Sequence, residues 1–181
     1  MAIPREAVRW EIGSVPFVFV AGSLLHFAYD WLGRSSWMAP IAAIDESVWE
    51  HLKLAFWPAA AFAVVQAAAM RSRVPNFMLG KAVGLSVAPL AIVLAFYGYT
   101  AVLGFHALAA DLALFVAAVT LGAAANLVVY ALPDFGASGR RAGVAVIVAW
   151  IASFASFTFS KPPLGLFHAG EESSNHQDVG A

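Results

Sequence analysis

Histidine and carboxylate residues occur in this chain at spacings that suit a metal site. Neutral imidazole is a common protein ligand for Zn²⁺, and a catalytic zinc keeps three protein ligands and one water. His26 and Asp30 are four residues apart, so a helix would place them on one face. An aspartate can serve as a fourth ligand or can orient a ligating imidazole through a hydrogen bond. The predicted metal ligands are three histidines and two aspartates: His26, His51, His106, Asp30 and Asp111.

Candidate catalytic groups lie directly before His51, within the segment 45–51. A bound zinc lowers the pKa of its water to about 7 and so supplies a hydroxide nucleophile. Glu46 or Glu50 would then carry the proton, and Ser47 stands four residues before His51. We therefore predict a zinc-dependent hydrolase that cleaves an ester, amide or phosphoester in a lipid-like substrate.

Each of these residues also has a structural interpretation. Ser47-Val48-Trp49-Glu50 matches the S-x-x-E capping box, in which both side chains bind free amides at a helix start. His26 can bond Asp30 across one helical turn, and His106 can be a solvated loop residue. Asp111 can pair with Lys53 or with a histidine. Lys53 and Lys81 can extend their ammonium groups to the nearer membrane surface.

The composition defines the elements that must position these groups. Hydrophobic residues make up 61% of the 181 residues and charged residues only 12%, about half the charge of a soluble domain. The net charge of −1 gives no electrostatic basis for nucleic-acid binding. The chain has no cysteine, which excludes disulfides, thiolate metal sites and thiol catalysis. These features indicate an integral membrane protein.

The hydrophobic pattern predicts an all-α fold, a five-helix transmembrane bundle. A membrane-crossing helix needs about 20 mostly apolar residues, and five segments meet this requirement. They lie at about 14–33, 47–70, 77–103, 107–132 and 139–160. We expect the first to be a retained helix rather than a signal peptide. The chain would form one membrane domain over residues 1–170, with a disordered polar tail at 171–181.

The distribution of basic residues predicts the orientation. Seven lysines and arginines fall on the side of the N-terminus and three on the other, which predicts a cytoplasmic N-terminus and an extracytoplasmic C-terminus. We expect the protein to lie in the inner (plasma) membrane of a bacterium. All five segments carry polar residues near the extracytoplasmic end. In the cytoplasmic half of the segments, the polar residues are mainly Gln66, Asn126 and the basic residues at the edge. This sorting predicts a pocket that faces outward.

The ten residues from Asp45 to Leu54, D-E-S-V-W-E-H-L-K-L, resemble the N-E-S-V-W-E-H-L-K-L signature of an uncharacterised family of small bacterial multi-pass membrane proteins. The segment His26–Asp30 and the ending Pro162–Phe167 are also similar to that family. Asp45 stands where the family usually has asparagine, and His168 where an acidic residue is expected. The resemblance implies a five-span fold and no activity.

A fainter similarity links the chain to seven-span membrane hydrolases of the alkaline ceramidase and adiponectin-receptor type. Those enzymes hold zinc with three histidines near one membrane face, and Ser47 and His51 reproduce an S-x-x-x-H spacing. The chain has two spans fewer and lacks their C-terminal H-x-x-x-H. Two alternatives stay open: a small transporter or ion-pathway protein, and a haem-binding or accessory subunit with two axial histidines.

Overall fold

The computed structural model describes residues 3–168, and within that range the protein is all-α. Five long helices are followed by one short 3₁₀ helix, Gly165–Phe167. The long helices are α1 (Arg5–Trp31), α2 (Val48–Met70), α3 (Phe77–Leu103), α4 (Leu108–Tyr130) and α5 (Gly136–Phe159). All five are long and apolar enough to cross a membrane, which confirms the predicted fold class. The orientation stays a prediction, and the predicted polar tail at 171–181 lies outside the described residues.

The helix boundaries agree with the sequence prediction to within a few residues, except at the start of α1. This helix begins at Arg5, whereas the apolar pattern predicted about Ser14. Pro4 occupies the N-cap position, and Glu6 lies in the first turn, where a carboxylate interacts favourably with the helix dipole. Because the helix starts earlier, Glu11 lies inside α1 and is buried. The span predicted from the sequence starts after this residue.

The helix ends and connections form two ends of the bundle. The N-terminal end carries the start of α1 and the α2–α3 and α4–α5 turns. The C-terminal end carries segments 32–47, 104–107 and 160–168. Asn76 joins the two turns at the N-terminal end. Its Nδ2 donates to the carbonyl oxygen of Pro133 at 2.9 Å, and its Oδ1 accepts from the amide of Phe135 at 2.9 Å.

Helices α3 and α4 pack through glycines. A Cβ at Gly84 would lie 2.6 Å from the carbonyl oxygen of Gly122 and 2.1 Å from Asn126 Oδ1. Real Cβ atoms essentially never approach other atoms so closely, and the backbones can meet only because Gly84 lacks a side chain. The contact fixes the depth at which Asn126 lies beside α3.

At the C-terminal end, the segment between α1 and α2 folds back into the bundle. Ala39 and Ala42 are buried, and the carbonyl oxygens of Ala39 and Pro40 accept hydrogen bonds from α2. The donors are Lys53 Nζ at 2.7 Å and Trp57 Nε1 at 3.0 Å. Buried backbone polar groups need hydrogen-bond partners, and these two bonds supply them for the irregular segment.

Candidate functional site

Three of the predicted site residues meet at the C-terminal end of the bundle. His26 Nε2 lies 3.8 Å from Glu46 Oε1, and His51 Nε2 lies 3.3 Å from Glu46 Oε2. The ligand atoms of all three residues lie within 4.8 Å of one another. Among residues 3–168, this is the only group of three or more histidine or acidic residues with such spacing. Below it is called the His26–Glu46–His51 cluster.

Local folding places each member of the cluster. His26 lies in the last turns of α1, His51 in the first turn of α2, and Glu46 two residues before α2 begins. Ser47 is the N-cap of α2 and accepts a hydrogen bond from the amide of Glu50 at 3.4 Å. The cap fixes the position of His51 relative to the connecting segment. Of the two hydrogen bonds in the predicted capping box, the one that the Ser47 side chain accepts is therefore formed.

A main-chain hydrogen bond sets the state of the His51 ring. Its Nδ1 lies 2.9 Å from the carbonyl oxygen of Ser47, and a carbonyl can only accept, so Nδ1 carries the proton. In a neutral ring, Nε2 then points a lone pair at the Glu46 carboxylate. That contact is repulsive unless a proton or a cation lies between them. Metal-bound histidines commonly donate their other ring nitrogen in this way.

The His26 ring is positioned by packing. It meets the Phe27 ring edge-on at 4.9 Å between centroids, and the His51 ring at 5.2 Å. Phe27 also stacks on Trp31 at 5.8 Å. Phe27 and Trp31 are 50% and 67% exposed, so an apolar aromatic strip lies on the bundle surface next to the cluster.

The structure places the second predicted catalytic glutamate elsewhere. Glu50 is completely buried, and its Oε2 accepts from Lys53 Nζ at 2.5 Å and from the amide of Ile44 at 2.9 Å. Lys53 is equally buried and also bonds Thr158 Oγ1 at 3.0 Å. The alternative of a Lys53 side chain that extends to the membrane surface is therefore wrong. This pair holds segment 38–44 against α2 and α5, and Glu50 is not part of the cluster.

The other predicted ligands form two separate groups. His106 Nδ1 lies 3.1 Å from Asp111 Oδ2, and the Tyr99 hydroxyl donates to Asp111 Oδ1. This confirms the alternative in which Asp111 pairs with a histidine. Asp30 accepts from Arg34 Nε at 2.7 Å, and this exposed bond raises the pKa of the Arg34 guanidinium. Thus Asp30 turns away from His26, and the alternative bond between these two residues is not formed.

Asp45, which precedes the cluster, ties the connecting segment to the end of α5. Its carboxylate accepts hydrogen bonds from the amide of Ser47 at 2.9 Å and from Lys161 Nζ. Burial raises the pKa of the Asp45 carboxyl, but the bonds from Lys161 and Ser47 outweigh burial and leave the pKa below its usual value. The ionised carboxylate therefore helps to hold Glu46 in place.

A second buried polar group lies at the N-terminal end, and the sequence analysis missed it. Glu11 is 1% exposed and accepts four hydrogen bonds from three other helices. Lys81 Nζ donates to Oε1 at 2.6 Å, and Asn126 Nδ2 donates to Oε2 at 2.9 Å. The hydroxyl of Tyr130 and Nε2 of Gln66 donate to Oε1 at 3.1 and 3.3 Å. Below, these five residues are called the Glu11 cluster.

The Glu11 cluster corrects two interpretations of the sequence. The half of the bundle that looked nearly apolar contains a buried ion pair, and Lys81 is 5% exposed instead of extending to the membrane surface. The spacing of residues in the first half of α1 already indicated that Glu11 is buried. Ala7, Glu11, Ser14 and Val18 recur at intervals of three and four and are all buried. Extending the helical period towards the N-terminus would have placed Glu11 on the buried face.

Five helices of membrane-spanning length and composition define a multi-pass helical membrane protein. Comparison with known families makes the assignment more specific. The chain belongs to DUF6512, a family of unknown function, which it matches over residues 1–174. No curated protein and no solved structure matches the chain. The match confirms the resemblance to an uncharacterised family, whereas the similarity to seven-span zinc hydrolases stays a prediction.

Proposed function

We propose that the protein binds a divalent metal ion, best suited to Zn²⁺, through His26, Glu46 and His51. The observation that carries the proposal is the approach of two imidazole nitrogens to one carboxylate, at 3.8 and 3.3 Å. Ligands about 2.1 Å from a tetrahedral zinc lie roughly 3.4 Å apart, so small side-chain adjustments suffice. Two histidines and one glutamate form an established ligand set for catalytic zinc.

The electrostatics of the cluster favour a cation. Glu46 faces two imidazoles, and the Nδ1 proton of His51 is already used by the Ser47 carbonyl. A divalent ion would convert the repulsion between the His51 lone pair and the carboxylate into two metal–ligand bonds. With three protein ligands, a fourth position would stay free for water.

We propose further that this site hydrolyses a lipid-like substrate. A bound metal of this type supplies a hydroxide nucleophile and polarises a carbonyl or phosphoryl group. Access supports the assignment, because the side chains of Glu46, His51 and His26 are 73%, 35% and 28% exposed. The Phe27–Trp31 strip next to His26 offers an apolar surface for an acyl chain. Glu46 would act as a ligand in this arrangement, while Glu50 is held in its pair with Lys53.

Metal binding can be tested with matched histidine variants. The purified protein is titrated with Zn²⁺ by calorimetry, and its metal content is measured by elemental analysis. Loss of a residue that orients a metal ligand commonly lowers the metal affinity about 10–100-fold. Loss of a ligand itself, in His26→Ala or His51→Ala, should therefore lower the Zn²⁺ affinity by more than about 100-fold. His106→Ala is the control, because this histidine pairs with Asp111 instead. Equal affinity in all three variants would refute the site.

Hydrolysis needs a separate assay, on vesicles that contain ester, amide and phosphoester lipids. Activity that requires Zn²⁺ and is lost in Glu46→Gln would support the reaction. Zinc binding without turnover of any of the three lipid classes would retain the metal site and end the hydrolase proposal.

An ion pathway is the second candidate, and the Glu11 cluster is the observation in its favour. The Glu11 cluster places ionisable groups inside the N-terminal half of the bundle, where the sequence indicated almost none. Between this cluster and the Glu50–Lys53 pair lies an apolar layer that includes Val18, Phe56 and Leu85. Reconstitution in vesicles with a pH-sensitive dye tests conduction. A flux abolished in the double variant Glu11→Gln/Lys81→Met, which removes both charges of the buried pair, but not in His51→Ala would favour this candidate over the hydrolase.

The haem alternative has weaker geometric support. Two axial histidines approach an iron from opposite faces of a porphyrin. Here both imidazoles direct Nε2 at one carboxylate. Visible absorption of the purified protein tests this alternative directly.

A further inference from the structure

The lysines and arginines of the protein divide into two sets by their ion pairs. Five of the ten pair with a carboxylate: Arg34, Lys53, Arg73, Lys81 and Lys161. The other five pair with no carboxylate in residues 3–168, and all are exposed arginines near the N-terminal end of the bundle: Arg5, Arg9, Arg71, Arg140 and Arg141. That end therefore presents positive charge that the described part of the chain does not neutralise.

Two of the unpaired arginines, Arg5 and Arg9, lie on one face of α1. They are four residues apart, and side chains at this spacing are neighbours on a helix surface. The buried residues of α1 are Ala7, Glu11, Ser14, Val18 and Gly22. The helical period places Arg5 and Arg9 on the opposite face, which Ile12 and Val20 continue at 66% and 57% exposure. The outward face of α1 thus carries two arginines at its end and an apolar surface next to them.

Two tryptophans indicate the depth of this face in a membrane. Trp10 and Trp31 are 21 residues apart on α1, which is about 32 Å along the helix axis. The hydrocarbon core of a bilayer is about 30 Å thick, and tryptophans concentrate at its two boundaries. Arg9 therefore lies at one boundary and Arg5 about 6 Å beyond it, at the level of the lipid headgroups.

The α2–α3 turn adds positive charge beside this face. Arg73 Nη1 lies 3.4 Å from Glu6 Oε2, and this contact holds the turn, which also carries Arg71, next to the start of α1. Glu6 is the only carboxylate in this part of the described chain that takes part in an ion pair with these arginines. A guanidinium group can bind a phosphate through two parallel N–H groups, so this surface is complementary to a phosphate.

We propose that the outward face of α1 binds an anionic phospholipid from the leaflet at the N-terminal end of the bundle. The guanidinium groups of Arg5 and Arg9 bind the lipid phosphate, and an acyl chain lies along Ile12 and Val20. A zwitterionic lipid carries a cationic group next to its phosphate, so the unpaired arginines favour a lipid with net negative charge. The proposal requires neither the metal site nor hydrolysis.

Native mass spectrometry of the full chain in detergent tests the proposal, with phosphatidylglycerol and phosphatidylcholine as the titrated lipids. Each basic residue near an anionic lipid surface raises the affinity about fivefold, so Arg5→Gln/Arg9→Gln should lower the affinity for phosphatidylglycerol about 25-fold. Arg140→Gln/Arg141→Gln is the matched control. It removes two unpaired arginines from the same end, but adjacent residues of a helix face different directions, and the loss should be less than about fivefold.

Four outcomes would overturn the proposal. Equal losses in the two double variants would show a diffuse attraction to positive charge instead of a site on α1. In the wild type, equal affinity for the two lipids, or no binding of either, would remove the basis for an anionic phospholipid. Displacement of phosphatidylglycerol by inorganic phosphate at equal concentration would identify a site for free anions. Arg5→Lys/Arg9→Lys keeps both charges and should stay within about fivefold of the wild type, which separates loss of charge from loss of folding.

Discussion

The buried Glu11–Lys81 pair gives the sharpest prediction on stability. Lys81→Met keeps a long apolar side chain but removes the only positive charge that contacts Glu11 within residues 3–168. The carboxylate would keep three neutral donors, from Gln66, Asn126 and Tyr130, in surroundings where it is 1% exposed. Breaking a buried pair by removing one partner is destabilising by about 3–5 kcal/mol. We expect Lys81→Met to lower the free energy of unfolding by that amount.

An exposed ion pair at the same end of the bundle serves as the matched control. Arg73 Nη1 lies 3.4 Å from Glu6 Oε2, and the two side chains are 68% and 50% exposed. Exposed pairs contribute about 0–1 kcal/mol, so Arg73→Met should lower the free energy of unfolding by no more than this. Both variants exchange a basic side chain for methionine, and burial is the difference that is tested.

The double variant Glu11→Gln/Lys81→Met separates the charge effect from packing. It removes both charges, and replacing a buried ion pair by neutral groups is often nearly neutral. The double variant should therefore be more stable than Lys81→Met alone. The assay is reversible unfolding in mixed detergent micelles, followed by tryptophan fluorescence. Equal losses in Lys81→Met and Arg73→Met, or additive losses in the double variant, would refute the reasoning.

Three further predictions concern other contacts and use the same unfolding assay. Gly84→Ala should lower the free energy of unfolding by about 1–3 kcal/mol through overpacking, whereas Gly98→Ala, where an added Cβ meets nothing within 4 Å, should not destabilise the protein. Asp45→Asn should be less stable than the wild type at neutral pH. Folding lowers the pKa of Asp45, so its ionised carboxylate contributes its full stabilisation above the usual aspartate pKa of 3.8. The stability difference between Asp45→Asn and the wild type should vanish as the pH falls through the lower pKa of the folded state. Lys161→Met should show the same pH dependence. Lys53→Met should destabilise by about 3–5 kcal/mol because it leaves Glu50 buried and unpaired, and an unchanged midpoint would contradict this.

The fold was predictable from the sequence because lipid imposes a simple requirement. Backbone polar groups in the membrane need hydrogen-bond partners within the protein, and a helix supplies them within one segment, so apolar segments of sufficient length form helices. The chain has five such segments, and the structure has helices at those positions. The start of α1 was misplaced because hydropathy alone treats Glu11 as an end, whereas a buried partner can hold a carboxylate inside a span.

The membership of the candidate site was only partly predictable. His26, Glu46 and His51 were all named from the sequence, and the structure brings them together. His106 and Asp111 lie on the connection and helix that follow α3, and they satisfy each other locally. Glu50 is one residue from His51, yet it points into the bundle and bonds Lys53. Residues one apart on a helix face different directions, so the helix rotation decides which of them reaches the surface.

The sequence by itself determined the class of the protein, the number of helices and the residues whose side chains could bind a metal or act in catalysis. These features follow from hydropathy and residue type, which are local properties. The tertiary structure decided which of these residues meet. Glu11 comes from α1, Gln66 from α2, Lys81 from α3 and Asn126 from α4. Their meeting depends on helix rotation and on the glycine contact between α3 and α4, and neither property can be read from the order of residues along one helix.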